Sequence, residues 1–290
     1  MTSYAVTAAT GQLGHLAVEA LLERGVAPSD VVAVVRTPSK ADDLAARGVV
    51  VRAGDYSDRA SLDSALAGVD RLLLVSSNEV GQRLTQHTNV VEAAKAAGVQ
   101  RLAYTSLLRA DTSASPLAPE HKATEEVIAA SGLPHVLLRN SWYYENYTAN
   151  LGQYLATGEV LGATHDGRIS AASRADYAAA AAVALLADDE GKGTYELAGE
   201  TFTFTDLAAT VTEVTGTTVT SRDVTGEEYQ EALTGHGLDA GTAGFVVALD
   251  ASIANGDLQT DSTDLADLLG RPASSLRDAV TAAHTAHSAS

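Results

Sequence analysis

The 290-residue chain contains no cysteine, which excludes disulfides, thiol chemistry and thiolate-bound metal. No uninterrupted apolar run approaches the ~20 residues that a membrane helix needs. The opening M-T-S-Y-A-V-T-A-A-T lacks the basic start and long apolar segment of a signal peptide. These absences predict a cytoplasmic protein without membrane contact. Positive charge is also scarce: 19 lysines and arginines stand against 37 acidic residues, a net charge of −18. The lysines are Lys40, Lys95, Lys122 and Lys192 alone. Such a surface repels the phosphates of nucleic acid, so no nucleic-acid partner is expected. It also makes any local cluster of cations more informative. The eight histidines show no metal-ligand spacing, and no metal is expected.

What is present is an α/β rhythm. Short apolar runs at Tyr4–Thr7, Val31–Val35, Val49–Val51, Leu72–Val75, Leu102–Thr105 and Val136–Leu138 alternate with helical patterns. The helices between them stop at Gly48, Gly68, Gly98 and Gly132, each just past its last periodic residue. The strands are continuously apolar, as in a parallel sheet buried on both faces. The expected fold is a Rossmann-like, doubly wound parallel sheet over residues 1–150. A smaller α+β lobe over residues 151–290 follows on the substrate side, with an approximate boundary and interleaved lobes. An alanine-rich helix is expected from about Ala175 to Leu186, and a frayed tail from His284.

The stretch T-A-A-T-G-Q-L-G, Thr7 to Gly14, lies between the first strand and the helix from Gln12. Glycines in such a turn let backbone N–H groups approach a pyrophosphate and let helix and strand pack closely. The phosphates then sit at a helix N-terminus. Thr10, Gly11, Gln12, Leu13 and Gly14 are therefore candidate cofactor contacts. Ala8 stands where a first glycine is usual; alanine is tolerable there at negative φ and costly if the turn needs φ > 0. NAD sites place a carboxylate at the end of strand two. Here Arg36 stands at that point, with Lys40 nearby, and a guanidinium suits a 2′-phosphate. That favours NADPH. Asp55 either accepts from the adenine amino group or holds a turn. Ser76, Ser77, Thr105 and Ser106 follow strands four and five, at the edge where open α/β sheets bind ligands.

Past the sixth strand, Asn140 is followed by Trp142, Tyr143, Tyr144 and Tyr147; one or two of these rings, not all, are expected to stack on a planar acceptor, and Trp142 reads alternatively as core between the lobes. Glu145 and Asn146 would orient that loop, and Asp176 reads as a cap or first-turn carboxylate. Lys122 reads equally well as a cation at the cofactor or as a solvated lysine pairing with Glu126.

Together with V-A-V-V-R-T-P-S-K, S-S-N-E-V-G-Q-R, A-Y-T-S-L-L-R-A-D-T-S and L-L-R-N-S-W-Y-Y-E-N-Y, the opening stretch resembles the NmrA-like atypical short-chain dehydrogenases. Within them the chain is most similar to the bacterial type 2 NADPH:quinone oxidoreductases. The likeness continues through S-R-A-D-Y-A-A-A-A, Y-E-L-A-G and D-S-T-D-L-A-D-L-L-G-R-P. It implies NADPH, direct hydride delivery to a quinone or similar planar electrophile without flavin, and a lysine at position 122 near the nicotinamide ribose. Ala8 departs from the family's G-x-x-G-x-x-G. The Tyr-x-x-x-Lys pair of ordinary short-chain dehydrogenases is missing, since Tyr104 is followed by Leu108 at that spacing. A quinone that accepts hydride gives a delocalised anion, so a strong acid is not required and positioning dominates. Candidate donors to the developing oxyanion are His121, Lys122, Asn140 and tyrosine hydroxyls, Tyr144 among them. Substrate contacts are expected from His121, Asn140, Trp142, Tyr143 and Tyr144, with catalysis assigned to Lys122, Asn140 and Tyr144. An NADP-binding redox sensor of the same family is the alternative. The protein is expected as a monomer or homodimer.

Overall fold

The computed structural model describes residues 1–188 and 191–288. Strand β1 (Tyr4–Thr7) runs into helix α1 (Gln12–Glu23). Alternation continues through β2 (Val31–Val35), α2 (Asp42–Ala46), β3 (Val50–Ala53), α3 (Arg59–Ala65), β4 (Arg71–Leu74) and α4 (Arg83–Ala97). It ends with β5 (Arg101–Leu107), α5 (Ala118–Ser131) and β6 (His135–Asn140). Next come β7 (Trp142–Tyr143), α6 (Glu145–Thr148), α7 (Leu151–Thr157), β8 (Glu159–Gly162), β9 (Ile169–Ala172), α8 (Arg174–Leu186) and β10 (Thr194–Leu197). The chain closes with β11 (Thr201–Phe202), α9 (Phe204–Thr215), β12 (Thr220–Asp223), α10 (Gly226–Gly235), α11 (Ala240–Ala254), α12 (Asp264–Leu269) and α13 (Leu276–Ser288).

Seven strands form one sheet in the order β10-β6-β5-β4-β1-β2-β3, and every pairing in it is parallel. Successive side chains leave a strand on opposite faces. On one face Val6, Ala33 and Val35 meet Leu13, Ala17 and Leu21 of α1 and Tyr177, Ala181 and Leu185 of α8. On the other Ala5, Val32 and Val34 meet Leu62, Val90, Val91 and Ile128 of α3, α4 and α5. Both faces are covered, which is why the strands read as unbroken apolar runs. Gly98 and Gly132 end α4 and α5 at φ of 74° and 75°, a conformation glycine adopts without penalty.

A third core joins Tyr144, Tyr147, Tyr154, Phe202, Phe204, Leu207 and Val280. Small sheets β11-β9-β7 and β12-β8 frame it. The later chain also returns to the main sheet through β10 and α8. Charged ties hold the parts together: Arg139 bonds Glu125 at 2.7 Å and Glu196 at 2.9 Å, and Lys192 meets Asp264 at 2.6 Å. Asp176, in the first turn of α8, also accepts from Arg271 at 2.8 Å and from Ser274 N–H at 2.9 Å. Of the tail expected to fray, His284 to Ser290, the part through Ser288 is helical, in a helix that Leu276 and Val280 anchor, and residues 289–290 lie outside the described residues. No helix of the described residues is long and apolar enough to cross a membrane.

Candidate active site

Strand order reverses between β1, whose successors run to one side, and β4, whose successors run to the other. Ligands of open α/β sheets bind at the carboxyl ends of strands at such a switch point. There Thr10, Gly11 and Gln12 are exposed, while Leu13 and Gly14 are buried. Gly11 is the N-cap of α1 and offers no side chain to the first-turn N–H groups. An uncapped helix N-terminus facing solvent is suited to an anion. Gly14 is demanded by packing: a Cβ there would lie 2.3 Å from the Ala8 carbonyl oxygen. Gly11 N–H donates to that same oxygen at 2.8 Å and tightens the turn. Ala8 adopts a φ of 49°. The turn does need φ > 0, so alanine carries a penalty of about 1 kcal/mol that the usual glycine would not.

At the adenosine end, Arg36 and Lys40 are both exposed. Arg36 already has an anionic partner, Glu79 of the β4–α4 loop, at 3.0 Å. Asp55 takes the turn role: its Oδ1 accepts from Ser57 N–H at 2.8 Å. The hydroxyls expected to face the crevice are mostly engaged inside the fold. Thr105 Oγ1 accepts from Ser76 N–H at 2.8 Å, and Ser106 Oγ donates to Glu125 at 2.6 Å. Ser77 Oγ donates to Gln86 Oε1 at 2.5 Å, and its N–H donates to His87 Nε2 at 2.9 Å. These groups set the shape of the strand-four and strand-five loops. The sequence reading missed that Ser77 and Ser106 have partners on α4 and α5, and that Ser76 and Thr105 bond each other.

His121 is buried on α5, with Nδ1 2.8 Å from the Tyr104 hydroxyl. Burial, then the Arg83 guanidinium, hold its imidazolium well below the usual range. It is neutral at physiological pH and is not a strong acid. Lys122, one residue on, is exposed, and no salt bridge to Glu126 forms.

The aromatic cluster disperses rather than forming one wall. Trp142 and Tyr143 are neighbours in β7 and point to opposite sides. Trp142 packs on the third core; Tyr143 packs on the sheet-side core, edge-on to Tyr177 at 5.4 Å. Tyr144 is 0% exposed, with its ring against Phe202. It has no surface on which a substrate could stack, which corrects the catalytic and substrate roles read from sequence. Asn140 fares differently. It is 3% exposed at the carboxyl end of β6; its Nδ2 donates to Tyr143 Oη at 3.4 Å. Its Oδ1 has no partner in the protein. A buried acceptor with no partner in the protein calls for one from outside the chain, a water or a ligand.

A cleft of about 920 Å3 opens beside the turn. Thr10, Gly11 and Gln12 form one wall, Glu145, Asn146 and Arg174 another, and His287 of α13 a third. Arg174 stacks over Tyr143 at 4.5 Å, donates to Asn146 at 2.8 Å and pairs with Glu145 at 3.5 Å. Sequence reasoning passed over Arg174. A signal existed: a cation in the first turn of a helix opposes the helix dipole and calls for a local reason.

A family model described as NAD(P)H-binding matches residues 8–189. Quinone oxidoreductase 2 of Escherichia coli (strain K12) is 50% identical over 278 residues, 95% of this chain and 96% of that protein. The crystal structure of an NADPH-dependent quinone oxidoreductase from Escherichia coli, complexed with NADPH, superposes with a TM-score of 0.93 at 48% identity. The match covers 96% of this chain and 99% of that one. An NmrA-like family domain-containing oxidoreductase of Aspergillus flavus is 33% identical over 289 residues, 96% of this chain and 93% of that protein.

Proposed function

The chain belongs to the NAD(P)H-binding, NmrA-like family, and from this we propose that it is an NADPH-dependent quinone reductase. The observation that carries the reading is the 50% identity, over nearly the whole of both chains, to a quinone oxidoreductase. The residues present fit the cofactor: an uncapped helix N-terminus for the diphosphate, Arg36 and Lys40 for a 2′-phosphate, and an unpartnered buried acceptor, Asn140 Oδ1. Bound NADPH supplies hydride; the quinone takes it up together with one proton and leaves as the hydroquinone.

The chain's own residues position and polarise. Asn140 is buried at the end of β6, and its Oδ1 is free to accept from a bound group. Tyr143 Oη accepts from Asn140 Nδ2, so its own proton is left to donate to a developing oxyanion. Burial raises the Tyr143 pKa, which keeps that proton in place at neutral pH. Arg174 over the Tyr143 ring favours a fixed ring and adds positive potential beside the turn. Lys122, exposed on α5, is assigned to the nicotinamide side by the family likeness alone. Residues 1–150 bind the cofactor, and the lobe from 151 onward shapes the acceptor side. A delocalised hydroquinone anion needs no strong acid, which accords with a neutral His121 and a Tyr104 committed to it.

Steady-state assays with benzoquinone, naphthoquinone and cyclohexanone, each with NADPH or NADH and without added flavin, test this. Quinones should turn over and cyclohexanone should not. Equal rates on both, or a requirement for flavin, would overturn it.

A further inference from the structure

Arg36 and Glu79 come from different sides of the nucleotide turn. Arg36 follows β2 and Glu79 lies in the loop after β4, while β1, which carries the turn, runs between those strands. Their 3.0 Å ion pair therefore straddles the switch-point crevice. Glu79 is not a loose surface carboxylate. Its Oε2 accepts from Gln86 Nε2 at 2.7 Å, and its backbone N–H donates to Ser77 Oγ at 3.1 Å. Gln86 is itself buried and accepts from that same Ser77 hydroxyl at 2.5 Å. The carboxylate is thus anchored beside the one arginine at the end of β2.

Resting on the reading of Arg36 as the seat of the 2′-phosphate, we infer that Glu79 is a specificity-determining residue that opposes it. A phosphate dianion at Arg36 meets a fixed negative charge already on that guanidinium. The pair is more than one-third exposed on both sides, so it breaks readily. The charge of Glu79 nevertheless remains, because Gln86 and Ser77 hold it in place. For NADH the sign reverses: a carboxylate accepts from a ribose hydroxyl, the part usually played by an acidic residue at the end of strand two. Here the acidic residue arrives from the strand-four loop. Coenzyme preference is then the balance of Arg36 against Glu79, with Lys40 on the side of the phosphate.

The test is titration of the purified protein with NADPH and with NADH, followed by nucleotide fluorescence, for wild type, Glu79→Gln and Arg36→Ala. Glu79→Gln removes the charge and keeps the size. It should tighten NADPH relative to NADH by about 5- to 10-fold at low salt, with the gain shrinking as salt rises. An unchanged ratio, or one shifted toward NADH, overturns the inference and leaves Glu79 as a prop for Arg36 or the loop. General damage to the loop would weaken both nucleotides alike, and so also counts against it. The Arg36→Ala arm judges the underlying reading by itself. A lowered NADPH preference supports the phosphate seat, and an unchanged one overturns that seat whatever Glu79→Gln does.

Discussion

The chain before Asn140 and the chain from Asn140 onward treat buried polar atoms differently. In the first region Thr7, His87, Thr105, Ser106, His121 and Thr124 are buried, and each has a hydrogen-bond partner. Among the described residues, Arg109 Nε is that region's lone unpartnered buried side-chain atom. In the second, Asn140 Oδ1, the hydroxyls of Tyr144 and Tyr147, and His284 Nδ1 lack one. A satisfied network fixes a single geometry; an orphan atom either faces a ligand or costs stability. The first region is thus a finished cradle. The second holds an uncommitted acceptor at the end of β6, two hydroxyls carried into an aromatic core with their rings, and one ring nitrogen on α13.

The largest expected effect attacks the cradle. Gly14→Val forces a Cβ into the Ala8 carbonyl and should destabilise the protein by about 3 kcal/mol. Saturable NADPH binding should be lost with it; calorimetry and nucleotide titration read both. A Gly14→Val protein of wild-type stability would break the claim that the turn is set by packing.

Two buried groups, one from each region, should also respond to pH with opposite sign. Burial, with Arg83 adding to it, pushes the His87 pKa down to about 3. A depressed histidine pKa gives stability that is present above about pH 6.5 and lost as pH falls toward 3, because the unfolded chain binds the proton first. By pH 4 the loss is about 3 kcal/mol. In the lobe, burial raises Asp250 to about 6, against a bond from Ala163 N–H. Its stability is present below the usual carboxylate range and lost as pH rises to 6, also by about 3 kcal/mol. Asp250→Asn should therefore raise the unfolding midpoint at pH 8 and barely change it at pH 4. Denaturation across that range, with and without the substitution, separates the two limbs.

A third contrast lies inside the second region. Asn140→Ala removes the crevice acceptor and should lower kcat/KM with benzoquinone about 10- to 100-fold. Tyr144→Phe removes a core hydroxyl that has no hydrogen-bond partner, and should leave kcat/KM within about twofold. If the effects were reversed, the catalytic role would pass back to Tyr144. The smallest effect returns to the turn. Ala8→Gly relieves a φ of 49° and should stabilise the protein by about 1 kcal/mol, read as a raised unfolding midpoint.

The cradle was legible because its signals are local. Apolar runs, helix-ending glycines and the Gly11–Gly14 spacing each act within a few residues, and the strands lie within a residue or two of their expected bounds. The conformation of Ala8 was not legible, since only the closure of the turn decides its φ. Nor was the engagement of Ser77, Thr105 and Ser106, whose partners lie nine to 29 residues away. The aromatic stretch misled for a physical reason. Adjacency in sequence could not say which rings line a pocket: a two-residue strand sends Trp142 and Tyr143 apart, and Tyr144 then turns into the lobe core. The position of Asn140 at a strand end was legible, because the cradle's own rules still apply there.

The most direct test of the central claim is an anaerobic single turnover. Flavin-free protein loaded with NADPH is mixed with one equivalent of benzoquinone, and nucleotide absorbance is followed against a protein-free control. Catalysed, one-to-one oxidation of NADPH with formation of hydroquinone, slowed by deuterium at the transferring carbon, is the result expected. NADPH that binds saturably yet stays reduced beside the quinone would contradict it, and would mark the protein as one that senses the cofactor without using it.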